Sequence, residues 1–298
     1  SNNTAVGFCA LRSNTTGTNN VAVGLSAAAN STVGQNLIAI GRCALFANTV
    51  DNMTAVGALA LWCNTTGVRN VAVGTSALRN NTIGINNTAL GYSALFANTT
   101  GGSNTAIGYR ALYSFNGSNY NTAIGSGALQ ANVNGSENTA LGGLALNNNT
   151  NGTHNVGLGM QALNFNTIGS QNVAIGYLSL WKNILGNNNT AIGISSLQDN
   201  TGSNNTALGN SALELNTTGV NNLAAGSISL RNNIDGGNNA AFGFSSLSSN
   251  TSGDFNVAVG VGAGQSNITG SNNTFIGKSA DASVNNLTNA SAIGADAQ

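Results

Sequence analysis

The triplet Ala-(Ile/Val/Leu)-Gly returns along the chain at a nearly constant step, with its glycines at Gly7, Gly24, Gly41, Gly57, Gly74, Gly91 and onward to Gly294. The step is 17 residues, except for 16 between Gly41 and Gly57 and between Gly193 and Gly209. Eighteen copies fill the sequence, so residues 1–298 read as one repeat domain without a separate linker. The consensus is N-T-A-I-G-x-x-A-L-x-x-N-T-x-G-x-N, too short and too rich in Asn, Gly and Thr for a helical repeat. It predicts an all-β parallel β-solenoid of about eighteen coils, each with two short strands and two glycine-bearing corners.

The first predicted strand is T-A-I-G. By the two-residue period its Thr and Ile share one face, expected to be buried, and the Ala between them points outward. The second strand centres on x-A-L, where Leu holds its position in 14 of 18 coils and is expected inside. A second glycine follows ten residues after the first in most coils (Gly17, Gly34, Gly67, Gly84), where a corner calls for left-handed backbone. Asn precedes the first strand in 15 of 18 coils, as at Asn87, Asn104 and Asn121, and stacked there it predicts a side-chain ladder. At about 4.8 Å per rung, eighteen coils would extend roughly 85 Å. So thin a core, with an outward row of Ala such as Ala72 and Ala89, predicts a homo-oligomer of parallel rods packed side by side.

The segments N-T-A-I-G and Asn289–Ala297 resemble the head repeats of YadA-like trimeric autotransporter adhesins. The longer unit, seen over Asn104–Tyr113 and Tyr92–Gly101, resembles fibre repeats of phages, large viruses and surface-attached bacteria. The resemblance covers essentially the whole chain, although the period is longer than that of the adhesin head. It implies left-handed β-rolls assembled as a parallel homotrimer, found extracellularly on a cell surface or in a virion fibre. Lys278–Asp281 followed by Asn286–Asn289 resembles the stretch that precedes an endosialidase-type intramolecular chaperone domain, which implies a fragment or a processed shaft.

Composition narrows the chemistry. There are 54 Asn and no Pro, and only 5% of residues are charged, with eight cations against eight anions. Net charge zero leaves no nucleic-acid footprint. No apolar run is long enough for membrane insertion, and the absence of Pro suits coils that all donate N–H groups to their neighbours. Only Asp199 and Glu214 stand at similar places on adjacent coils, roughly 5–6 Å apart as glycoside hydrolysis would need. The remaining acids scatter, so neither an enzyme nor a trimeric depolymerase is expected. His154 reads as a solvated corner residue. Cys9 and Cys43 share a position two coils apart, about 9.6 Å by rung spacing and too far for a bond, and Cys63 lies elsewhere. No metal or cofactor is implied. About twenty Asn-x-Ser/Thr sequons occur, among them Asn14, Asn64, Asn98 and Asn216, which a eukaryotic secretory pathway could modify.

The candidate binding residues stand five places after the triplet glycine: Phe46, Trp62, Arg79, Phe96, Tyr113 and, further on, Trp181. They are expected to face outward, with Tyr92, Tyr109 and Tyr177 nearby, and to stack on a host glycan or touch a receptor. The alternative is that they pack between chains. The leading function is therefore a stiff adhesive fibre shaft. An ice-binding solenoid is the second reading, because Thr recurs at Thr88, Thr105, Thr122 and Thr139, but Val21, Ile38 and Val71 in the same column suggest that it is buried.

Overall fold

The computed structural model describes residues 2–298. It is all β, with eighteen parallel three-residue strands from Thr4–Val6 to Ser291–Ile293 and no helix among the described residues. The chain divides into two compact units, the first ending at Asn151 and the second spanning Gly152–Gln298. Each is a β-solenoid with nine strands, ending at Thr139–Leu141 in the first and beginning at Val156–Leu158 in the second. Within a unit, consecutive strands pair in register. Thr88 lies opposite Thr105, Ala89 opposite Ala106 and Leu90 opposite Ile107. Val173, Ala174 and Ile175 face Thr190, Ala191 and Ile192 in the same way.

Each coil has one strand, not two. In place of the expected x-A-L strand the chain makes successive turns, with Ser93 (φ 53°) and Leu95 (φ 52°) both left-handed, as are Cys43 and Leu45 or Ser211 and Leu213 in other coils. Within a unit the turns bond neighbouring coils to one another. Ser93 N–H donates to the Thr75 carbonyl of the preceding coil (2.9 Å), and Leu95 N–H donates to the Ala111 carbonyl of the following one (3.0 Å). A left-handed Leu costs about 1–2 kcal/mol. Complete burial of that Leu contributes about 2 kcal/mol and offsets the strain.

The faces of the remaining strand are opposite to expectation. Ala72, Ala89, Ala106 and Ala123 are fully buried, while the residues on either side of them are exposed or half-buried, Val71 at 39% and Leu90 at 45%. The interior explains the inversion. A single coil already encloses Leu95, Ala94 and the side chains of Asn87 and Asn98, all at 0% exposure. What is left opposite the strand accommodates a methyl group and excludes an isoleucine. Exceptions show the same limit on volume. Phe275 is buried in the Ala column where Gly264 has replaced the Leu of the preceding coil, and a Cβ on Gly264 would crowd the Phe275 ring.

Asparagine forms two buried ladders. In the expected one, Asn87 Oδ1 accepts the Asn104 N–H of the next coil (3.0 Å), and Asn87 Nδ2 donates to the Gly101 carbonyl (2.8 Å). The second runs through the N-T-x-G corner. Asn81 Nδ2 donates to Asn64 Oδ1 (2.7 Å) and to the Gly84 carbonyl (3.0 Å), and Asn98 Nδ2 donates to Asn81 Oδ1 (2.8 Å). Burying a carboxamide is costly unless both ends are bonded, and at Asn81 and Asn87 both ends are; the Asn183 oxygen of the corner ladder is an exception. The sequons at Asn64, Asn98 and Asn216 fall in this buried ladder, so in the folded protein their carboxamides are closed to modification.

The corner glycines serve close approach, not left-handed backbone. Gly84 has an ordinary φ, but a Cβ on it would overlap the Gly101 carbonyl oxygen of the next coil. The triplet glycines combine both demands, as at Gly91 (φ 140°), whose Cβ would overlap the Gly108 carbonyl. Both 16-residue coils lose their residue at the N-T-x-G corner. Register is kept on either side, with Ile38 opposite Thr54 and Thr190 opposite Thr206.

Candidate functional site

In the first unit the stripe five residues after the triplet glycine forms a continuous ladder. Phe46 and Trp62 rings lie 6.4 Å apart and tilted by 33°. The Arg79 guanidinium lies 5.2 Å from the Trp62 ring centre and 5.6 Å from that of Phe96. Phe96 and Tyr113 then stack at 5.1 Å with planes 12° apart. All five side chains are half-buried. The register of the strands sets this spacing, because residues one coil apart occupy the same place on successive rungs.

A second stack stands beside the first. Tyr92 and Tyr109, one residue after their triplet glycines and about half exposed, stack at 5.6 Å. Arg110 joins the two stacks, its guanidinium 5.2 Å from the Tyr109 centre and 5.2 Å from that of Tyr113. The repeat column did not point to Arg110, because it sits at the left-handed position that Ser or Cys usually fills (φ 52°). Its neighbours Tyr109 and Tyr113 were the available signal.

Within the ladder the faces of Trp62, Phe96, Tyr109 and Tyr113 each meet a neighbouring ring or a guanidinium, while Phe46 and Tyr92 at the ends have one such neighbour each. What it offers a ligand is ring edges, tyrosine hydroxyls and the outer edges of two guanidiniums. The Nε–H of Arg79 and that of Arg110 are shielded and have no acceptor. Neither arginine takes part in the ion pairs Lys182–Asp199 (2.9 Å) and Arg231–Glu214 (2.8 Å).

Trp181 lies in the second unit, in a separate cluster. It meets Phe165 edge-on at 5.0 Å, and Lys182 Nζ lies 5.6 Å from its ring centre. Lys182 continues to Asp199 and, on the adjoining coils, Glu214 pairs with Arg231. The two carboxylates singled out from the sequence, Asp199 and Glu214, are thus divided between two cations. Each acid holds its own salt bridge.

Other candidates have ordinary surroundings. His154 is exposed at a left-handed corner (φ 58°). Cys9, Cys43 and Cys63 are free thiols, and burial pushes the Cys63 thiol up from its usual range, with Arg79 pulling the other way. No cluster of metal-ligating side chains occurs among the described residues. A shallow open groove crosses the corner of the first shortened coil, between Val33, Thr49, Val50, Asp51, Val68 and Arg69. No protein-family model matches the chain, and no curated protein matches it significantly.

Proposed function

We propose that the chain is the shaft of a non-catalytic homotrimeric fibre, extracellular on a cell surface or virion, that presents a binding surface along its side. The exposed aliphatic face of the strands carries this reading. In each unit the residues flanking the buried Ala stand outward, among them Ile38, Ile40, Val71 and Leu90 in the first and Ile192, Leu208, Phe242 and Val259 in the second. The next outward column continues the patch with Phe8, Leu25, Met160, Ile194 and Phe244. At about 60 Å² per half-exposed side chain and about two per coil, nine coils leave on the order of 1,000 Å² of apolar surface, well above the few hundred a monomer usually exposes.

A further copy of the same chain is the natural cover, because the patch repeats with the coil and one register would match every rung. The contact is therefore the Thr/Ile face of the strands rather than the Ala row. Light scattering on the purified chain tests this. The expected mass is three times the 29.6 kDa of one chain, and a species that stays monomeric at every concentration would refute it. Ile107→Asp with Ile124→Asp is expected to break the trimer while leaving the coil intact, since both side chains point outward.

One observation favours the second reading, an ice-binding face. Thr88, Thr105, Thr122 and Thr139 stand on the outward side of the strand, in register and on a regular rung. Freezing hysteresis from a monomer would select that reading. Trimers without hysteresis are the expected result.

A further inference from the structure

Charge divides unevenly between the two units. The first holds Arg12, Arg42, Arg69, Arg79 and Arg110 against only Asp51 and Glu137, while the second holds three cations against six acids. The neutral total conceals a first unit of +3. Two of its five arginines are those held by aromatic rings, Arg79 between Trp62 and Phe96 and Arg110 between Tyr109 and Tyr113.

This arrangement differs from the second unit, where Lys182 and Arg231 are each neutralised by a carboxylate on an adjoining coil. A guanidinium between rings is fixed in place without losing its charge, because the ring quadrupole attracts it but supplies no counter-ion. Packing on the rings also lowers the entropy lost when a ligand binds. The edges pointing away from the rings match the two oxygens of a carboxylate, or two of the oxygens of a sulfate, in a bidentate pair. Tyr92, Tyr109 and Tyr113 place hydroxyl groups around the same patch, suited to the hydroxyls of a sugar.

We propose that this corner of the first unit, from Trp62 to Tyr113, binds anionic glycans, with Arg79 and Arg110 receiving the acidic groups. The proposal rests on the fibre reading above and deepens it by naming the ligand class. Recognition is by charge and hydrogen bonding along a row of rungs rather than by stacking, because the rings beside Arg79 and Arg110 already have neighbours on their faces. A polymer with repeated acidic groups can engage both guanidiniums at once, so a chain binds more tightly than its monosaccharide.

The test uses the full chain and three immobilised polymers: polygalacturonate for carboxylates, heparin for sulfates and dextran as the neutral control. Binding to polygalacturonate, to heparin or to both is expected, with none to dextran, and the preferred polymer identifies the acidic group. Combining Arg79→Gln with Arg110→Gln should weaken binding by roughly 10- to 100-fold, the loss of one or two hydrogen bonds to a charged group. Arg12→Gln with Arg42→Gln removes the same charge outside the ring ladder and should change it less than about threefold. Equal losses from the two double variants would show general attraction to the positive unit and overturn the site. Absence of binding to either acidic polymer, or equal binding to dextran, would overturn it as well. Light scattering on the same samples separates the two readings. A trimer without anionic binding removes only this inference, and a monomer that binds through Arg79 and Arg110 removes only the fibre.

Discussion

Asparagine 81 shows how a polar side chain can form part of a core. Its carboxamide donates to Asn64 and Gly84 and accepts from Asn98, so no lone donor or acceptor remains. Asn81→Ala leaves Asn64 Oδ1 and an Asn98 N–H without their bonds, and is expected to destabilise by about 1–3 kcal/mol in urea unfolding. Thr82→Ala, on the partly exposed rung beside it, should cost well under 1 kcal/mol. Cys63 offers a second test. Burial raises its thiol, so more of it stays protonated above the usual thiol range and alkylation is expected to be slower than in the urea-unfolded chain. Because the Arg79 charge lowers the same pKa, Arg79→Gln should slow alkylation further, and an unchanged rate would contradict that placement. A raised acid favours its neutral form. Any stability linked to Cys63 is therefore present below the ordinary thiol pKa and lost as pH climbs through the raised value.

At the scale of the coil, tolerance to change follows from where backbones touch. Gly91→Ala sets a methyl group against the Gly108 carbonyl and strains a φ of 140°, whereas a Cβ on Gly143 meets nothing within 4 Å. Thermal melts should show a large loss for Gly91→Ala and almost none for Gly143→Ala. The shortened coils predict a permitted deletion. Removing Thr66 leaves Asn64-Thr65 joined to Gly67, the same corner that Asn200-Thr201-Gly202 makes with register preserved. That variant is expected to keep its circular dichroism spectrum. Removing Ala72 instead exchanges the inward and outward residues of the Val71–Val73 strand, and should leave no soluble folded protein.

At the scale of the molecule, each coil contacts its neighbours through backbone bonds and a column of small buried groups. Repeat proteins of this kind unfold as a sum of repeat and interface terms, so unfolding in denaturant is expected to spread over a broad or multi-step transition. If the exposed aliphatic face joins three chains, the melting temperature must rise with protein concentration. A melting temperature unchanged over a hundredfold dilution would oppose the trimer.

Much of this was legible in the residues. The 17-residue period, the glycine frame, the shortened steps and the Asn87 column all follow from spacing, because a solenoid repeats its sequence wherever it repeats its contacts. The aromatic stripe from Phe46 to Tyr113 could be seen for the same reason. The inward face of the strand could not. In Thr-Ala-Ile the two-residue period permits either face, and hydrophobicity favours the isoleucine. Only the folded coil reveals that Leu and two carboxamides already occupy the interior, leaving space for alanine alone. The left-handed Leu95 was hidden likewise, since intrinsic preference opposes that conformation and only burial within the closed coil repays it. Sequence periodicity determined that the chain coils and where each coil ends; the volume enclosed by the coil decided which side chains fill it and which are left exposed on its surface.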